Sequence, residues 1–115
     1  MACACFATTP NLRGGIVSDT QSYPGRKTDW GQKNLCGALL YLKNKEIDVL
    51  IYAGDIANNG HATVYREYHE IMDEVFGKEK PETVVIMGNH DFWKDGNMNT
   101  PGPEAIATFK AGMKL

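Results

Sequence analysis

The segment ETVVIMGNHD, Glu82 to Asp91, decides the fold. Its apolar run from Val84 to Met87 is continuous rather than alternating, which is typical of a strand buried on both faces of a parallel sheet. The run stops at once on Gly, Asn, His and Asp. Two earlier segments share this arrangement: GGIVSDTQ (14 to 21) and IDVLIYAGDIANNG (47 to 60). The sequence therefore predicts a parallel sheet whose strands each end in a polar cluster.

Two helices are predicted between these strands. Their apolar positions, spaced three or four residues apart, are Leu35, Leu39 and Leu42 in the first connection and Val64, Tyr68, Ile71 and Val75 in the second. Thr28 or Asp29 can cap the first helix, while Gly77 with Pro81 closes the second. The order is β-α-β-α-β, and right-handed crossovers turn it into a doubly wound or sandwiched α/β sheet.

The composition indicates one globular domain. The chain has 115 residues, 43% of them hydrophobic, and its net charge of −2 comes with scattered Lys and Arg, so we predict no binding to nucleic acid or to an anionic membrane. No apolar run approaches the roughly 20 residues of a membrane-spanning helix. Because no signal-peptide pattern is present, cytoplasm is the default, and a processed secreted form stays open.

The domain is predicted to span residues 14–115, with residues 1–13 as a loose N-terminal tail. Cys3, Cys5 and Cys36 are expected to be reduced thiols, since an odd set without C-x-x-C spacing fits neither a disulfide framework nor a zinc site. After Asp91 a loop leads to a final helix over EAIATFKAGMKL. A three-stranded sheet leaves an edge unpaired, so we expect either a longer fold, truncated here on its C-terminal side, or a partner that completes it.

The polar clusters are expected to meet. The carboxyl ends of parallel strands point the same way, so Asp19, Asp55 and Asn89 should converge on one rim. Oxygen donors of this kind suit a divalent cation, which would also offset the repulsion between the two carboxylates. Gly54 and Gly88 let the backbone turn tightly before a ligand. We therefore predict a metal-binding rim.

Three motifs carry a resemblance to a known family. Asp-Thr-Gln at 19–21, Gly-Asp-Ile-Ala-Asn at 54–58 and Gly-Asn-His-Asp at 88–91 each follow a strand and occur in this order. Together they resemble the calcineurin-like metallophosphoesterase superfamily, whose pattern is D-x-H, G-D-x-x-D or N, and G-N-H-D or E. The resemblance implies that the chain is the N-terminal half of a four-layer α/β/β/α sandwich.

The resemblance also implies residue roles. Asp19 would bind a first metal ion, Asp55 would bridge two ions, and Asn89 would bind the second; the ions would be Mn, Fe, Zn or Mg. His90 would face the phosphate-ester substrate, stabilising the phosphoryl oxygens and protonating the leaving group, and Asn58 would help to orient it. The implied reaction is hydrolysis of phosphomono- or diesters by two-metal activation of water.

The sequence departs from the family pattern at two points. Gln21 stands where histidine is usual, and its amide oxygen can still ligate a cation but is a weaker donor than imidazole. The lone histidine and the G-H-x-H motif of the family do not occur before Leu115. The isolated chain is therefore expected to be a weak enzyme, and a missing C-terminal half or a partner chain is expected to complete the site.

Alternatives stay open for the function and for several residues. A phosphoesterase-like scaffold that binds protein partners is the main rival, and a receiver-type signalling domain is a more distant one. His61 is expected in a surface loop, His69 on the solvated face of the second helix, and Trp30 in the core. Phe92 and Trp93 either line a substrate pocket or cover the sheet. Asp91 is expected to be structural.

Overall fold

The computed structural model describes residues 3–9, 11–26 and 28–115. These residues form four strands, three α-helices and one short 3-10 turn at His90–Phe92. The strands are β1 (Cys3–Thr9), β2 (Leu12–Ser18), β3 (Val49–Tyr52) and β4 (Glu82–Val85). The helices are α1 (Trp30–Asn44), α2 (Ala62–Phe76) and α3 (Gly102–Met113). The predicted α/β class and the two crossover helices are confirmed.

The strands form one sheet in the order β1-β2-β3-β4. Strands β2, β3 and β4 pair in parallel, as the sequence predicted. Strand β1 pairs antiparallel with β2, with Cys3 opposite Ser18 and Cys5 opposite Ile16. The prediction of a loose tail over residues 1–13 is therefore wrong for residues 3–9, because hydrogen bonds to β2 hold them as an edge strand.

The helices cover one face of the sheet. Both crossovers step in the same direction along the sheet, and right-handed connections then place α1 and α2 on the same side. On β2, Val17 is buried while Ile16 is exposed, and on the β4 side Ile86 is 51% exposed. The prediction of strands buried on both faces is wrong for the described residues, and so is double winding. The described residues form one sheet layer and one helix layer of the expected four-layer sandwich.

The core lies between the sheet and the helices. The leucines predicted for α1 and the four apolar residues predicted for α2 are all buried there. The side chain of Asp29 accepts a hydrogen bond from the backbone N–H of Gln32 at 2.9 Å, so Asp29 is the N-cap of α1. Trp30 is 75% exposed, which corrects its expected place in the core. It begins the helix on the solvent side, where Lys33 lies over its ring.

Helix α3 packs on α2. The rings of Phe109 and Tyr65 meet edge to face at 5.5 Å, and Met113 is buried beside them in the core. His69 lies 2.9 Å from the carbonyl oxygen of Gly112 through Nε2, so the prediction of a solvated His69 is wrong. Burial at this contact lowers the pKa of His69.

The cysteines and the helices bear on two further expectations. Cys3, Cys5 and Cys36 are free thiols. Within the described residues, none of the helices has the length and apolar character needed to cross a membrane.

Candidate metal centre

The strand ends carrying the predicted ligands lie side by side. Beyond β2 and β3 the backbones continue to pair, with Asp19 N–H donating to Gly54 O at 3.1 Å and Gln21 N–H to Asp55 O at 2.9 Å. The β4 end joins them where the backbone N–H of His90 donates to Oδ1 of Asp55 at 2.9 Å. Backbone contacts thus bring three of the four predicted ligands together. Asn89 directly precedes His90 and is exposed.

Three of the predicted ligands have left-handed backbone conformations. Their φ angles are 56° for Asp19, 44° for Gln21 and 55° for Asp55. Few non-glycine residues adopt this conformation, although Asp does so more readily than Gln, and such strain concentrates at functional sites. Each residue lies just after a strand. Its positive φ means that its side chain no longer follows the pattern in which successive side chains point to opposite faces of the sheet.

Two glycines allow the loops to approach. A Cβ on Gly88 would overlap Oδ1 of Asp55, and a Cβ on Gly54 would lie 2.9 Å from the Cα of Gly88. Gly54 also has φ 96°, a conformation that residues with a Cβ rarely adopt. These positions require glycine because the β3 and β4 loops touch at this point. The tight turn predicted at Gly54 is confirmed, whereas Gly88 is required by the close approach of the β3 loop.

The electrostatics of the rim favour a cation. Asp55 is only 8% exposed, and within the described part of the chain no Lys or Arg forms an ion pair with it or with Asp19. A buried carboxylate without a counter-charge carries a desolvation penalty that a bound cation offsets. The candidate donors, two carboxylates with the amides of Gln21 and Asn89, are oxygens that suit hard divalent ions.

Histidine, cysteine and acidic side chains alone do not form a metal site here. Among residues 3–9, 11–26 and 28–115, no three side chains of these types lie close enough to hold an ion together. The amide oxygens of Gln21 and Asn89 are the further candidate donors beside the two carboxylates.

His90 is fixed by the backbone of the β3 loop. Its Nδ1 lies 2.7 Å from the carbonyl oxygen of Asn58. A carbonyl oxygen only accepts, so Nδ1 carries the hydrogen and Nε2 is left for another partner. The side chain of Asn58 instead donates to the hydroxyl of Tyr23. The contact between Asn58 and His90 is thus made by the backbone carbonyl of Asn58.

The comparisons with known proteins address the family. The sequence profile of the family described as calcineurin-like phosphoesterase matches residues 12–110. The chain belongs to this family. No curated protein is similar enough to count as a match. Membership of the calcineurin-like phosphoesterases confirms the resemblance drawn from the three motifs, and it leaves a receiver-type signalling domain without support.

Asp91 ends the phosphoesterase motif and is completely buried. Its carboxylate accepts hydrogen bonds from the backbone N–H groups of Ile56 at 3.1 Å, Ala57 at 2.8 Å and Gly88 at 3.1 Å. The hydroxyl of Tyr65 donates to Oδ1 at 3.2 Å. Burial raises the pKa of Asp91, and the three backbone donors act in the opposite direction. Asp91 therefore joins the β3 loop to the β4 loop, which agrees with its predicted structural role.

Two rim residues were missed by sequence reasoning. Thr20, inside the first motif, donates through Oγ1 to the carbonyl oxygen of Ile56 at 3.0 Å and also bonds to the hydroxyl of Tyr52. It ties the loop after β2 to the loop after β3. Tyr23 contacts Asn58, as described above. The position of Thr20 between two predicted ligands could have indicated a place at the site. Tyr23 lies beyond the motif, and nothing in the sequence indicated its contact with Asn58.

A cavity elsewhere in the domain shares no residue with the candidate metal centre. It has a volume of about 480 Å3 and lies between α1 and α2. Its lining includes Gln32, Cys36 and Arg26, and the guanidinium of Arg26 is paired with two carboxylates of α2. The cavity is therefore separate from the chemistry that the three motifs suggest.

Proposed function

We propose that this chain carries the metal-binding and proton-donating part of a metal-dependent phosphoesterase that hydrolyses phosphomono- or diesters. The observation that carries the proposal is the hydrogen bond from the backbone N–H of His90 to Oδ1 of Asp55 at 2.9 Å. It fixes the proposed bridging carboxylate relative to the proposed proton donor, and hydrolysis needs both at the same phosphate.

The proposed ligands divide between two divalent ions, Mn, Fe, Zn or Mg. Asp19 and Gln21 would hold the first, Asn89 the second, and Asp55 both. When bound, such ions neutralise phosphate charge and lower the pKa of water. The all-oxygen donor set fits Mg or Mn better than Zn, which favours nitrogen and sulfur ligands.

His90 supplies the proton in this proposal. Because Nδ1 is held by the carbonyl oxygen of Asn58, Nε2 is the nitrogen available to the substrate. As the oxygen of water bonds to phosphorus and the water releases one proton to solvent, the bond from phosphorus to the leaving oxygen breaks, and the imidazolium of His90 gives that oxygen its proton. General acid catalysis of this kind contributes about 10²- to 10⁴-fold to a rate.

A second candidate function is a phosphoesterase-like scaffold with little catalysis. The observation favouring it is Gln21, a weaker donor than imidazole in the position where the family pattern has histidine. A scaffold of this kind would keep the fold and could still bind a cation, but it would not turn over phosphate esters.

The test combines metal binding with turnover. Mn²⁺ binding is measured by calorimetry and by the shift in Tm, and hydrolysis of p-nitrophenyl phosphate and its diester is followed with and without Mn²⁺. Asp55→Asn should abolish Mn²⁺ binding, and His90→Ala should preserve binding while cutting turnover by about 10²-fold or more. The matched controls are Asp95→Asn and His69→Ala, which change the same residue types outside the rim.

The outcomes separate the candidates. Turnover that needs both Mn²⁺ and His90 supports the enzyme. Binding of Mn²⁺ through Asp55 without any turnover supports the scaffold. If Asp55→Asn binds Mn²⁺ as well as the parent protein does, the metal-binding rim itself is wrong.

A further inference from the structure

One aromatic side chain packs against His90 and a second contacts the residue that holds it. The ring centroids of His90 and Trp93 are 5.2 Å apart, with an interplanar angle of 61°. The carbonyl that holds His90 belongs to Asn58, whose side chain donates to the hydroxyl of Tyr23. The proposed proton donor therefore has an indole beside it and a phenol one residue away.

The loop that carries Trp93 is fastened to the β3 loop. The backbone N–H of Asp95 donates to Gly60 O at 3.1 Å, and that of Gly96 to Asn59 O at 2.8 Å. A Cβ on Gly60 would overlap the carbonyl group of Trp93, so the two backbones are in direct contact. Trp93 is thus held beside His90 by backbone contacts that need no ligand.

The hydroxyl of Tyr23 is hydrogen-bonded, while much of its side chain is exposed to solvent. The backbone N–H of Asn58 donates to Ser22 O at 2.9 Å, which fixes the residue before Tyr23 against the same loop. The side chain of Tyr23 is nevertheless 47% exposed, and the ring of His61 lies 6.4 Å away. An exposed aromatic ring whose hydroxyl is already anchored offers its face to a planar group at small entropic cost.

We propose that Tyr23 and Trp93 form an aromatic subsite for the leaving group of the phosphate ester, so that the favoured substrates are aryl or nucleoside esters. The proposal rests on the proposed function, in which His90 protonates the leaving oxygen. A planar group bonded to that oxygen would lie close to His90, where the indole of Trp93 packs against the imidazole and the exposed ring of Tyr23 lies next to Asn58. Stacking on aromatic rings tolerates different planar groups, so the subsite selects for an aromatic group rather than for one base.

The test uses binding, so it does not depend on turnover. The chain has two tryptophans, and Trp30 lies exposed at the start of α1. Trp30→Phe therefore leaves Trp93 as the only indole fluorophore. Phenylphosphonate and methylphosphonate, which share a phosphonate group and resist hydrolysis, are titrated into Trp30→Phe in the presence of Mn²⁺. We expect phenylphosphonate to change the Trp93 emission and to bind about tenfold more tightly.

Substitution of Tyr23 completes the experiment. Tyr23→Ala in the Trp30→Phe background should weaken phenylphosphonate about tenfold and leave methylphosphonate unaffected. Tyr41→Ala is the matched control, because Tyr41 is an equally exposed tyrosine on α1. Equal affinities for the two phosphonates in the parent, or an unaltered preference in Tyr23→Ala, would overturn the subsite.

The same data distinguish this proposal from the proposed function. If both phosphonates bind equally and only with Mn²⁺, the metal-dependent site stands and the aromatic subsite is wrong. If neither binds, or if binding ignores Mn²⁺, the proposed function fails and the subsite fails with it.

Discussion

The backbone carbonyl oxygen of Asn58 lies 2.7 Å from Nδ1 of His90. The contact is made by the main chain, so the identity of residue 58 affects it only indirectly. Position 58 belongs to the second motif and position 90 to the third, so this hydrogen bond joins the ends of β3 and β4. The tautomer of His90 is set by it, because only Nδ1–H satisfies a carbonyl oxygen.

Replacing the side chain of Asn58 should therefore have a small effect on catalysis. In Asn58→Ala the carbonyl stays in place, and we expect kcat to fall by less than about tenfold, against about 10²-fold or more for His90→Ala. The measurement is steady-state hydrolysis of p-nitrophenyl phosphate with Mn²⁺. Losses of similar size in the two variants would show that the side chain, not the carbonyl, orients the histidine.

Substitution of Gln21 with histidine tests the proposed metal site, because it should increase the affinity for Zn²⁺. Histidine tolerates the left-handed conformation that residue 21 adopts at φ 44°. Gln21→His adds an imidazole to an all-oxygen set, so we expect Zn²⁺ to bind about tenfold more tightly in a chelator competition. Asn34→His, on the exposed side of α1, is the control for a histidine added elsewhere. An equal gain in both variants would refute a role for position 21.

Asp91 should be critical for stability. The carboxylate of Asp91 accepts three hydrogen bonds from backbone N–H groups. Asp91→Asn removes the negative charge and replaces one acceptor oxygen with an NH2 group, which would face these N–H donors. We expect a loss of about 3 kcal/mol in the free energy of unfolding, measured with urea. Asp95→Asn is the control: its exposed carboxylate accepts one such bond, from Ala62 N–H at 3.2 Å, and the loss should stay below about 1 kcal/mol.

His69 should make stability depend on pH. Burial lowers its pKa in the folded protein below the ordinary value of 6.5. As the pH falls below that value, the unfolded chain takes up a proton that the folded protein does not yet bind, so the free energy of unfolding falls. His69→Gln should lose less stability than the parent protein between pH 7.5 and pH 5.5 in urea titrations. Parallel pH profiles would show that another group is responsible.

The helices and the parallel strands were predictable because their signals are local. Leu35, Leu39 and Leu42 lie at helical spacing within one segment, and Asp29 stands where a cap is needed. The order of the three motifs likewise sufficed to identify the family. Strand β1 was not predictable in this way, because its structure depends on pairing with β2, and its sequence CACFATT lacks the Val and Ile residues of the other strands.

The geometry of the rim was only partly predictable. Gly54 and Gly88 indicated tight turns before the ligands, and Asp91 was expected to be structural. The left-handed backbone of Asp19 and Asp55 had no sequence signal, since aspartate also occupies ordinary conformations. The sequence pointed to Asn58 beside His90 but not to the atom that makes the contact, because a backbone carbonyl is present at every residue and leaves no mark in a sequence.

The antiparallel direction of β1 has a practical consequence for metal measurements. It places Cys3 opposite Ser18, the residue before Asp19. A polyhistidine purification tag joined ahead of Cys3 would therefore start beside the carboxylates and could supply imidazoles of its own to a bound cation. A tag joined after Leu115 would start instead next to α3, on the helix side of the sheet. Affinities for divalent ions should be determined with the tag at that end or cleaved off.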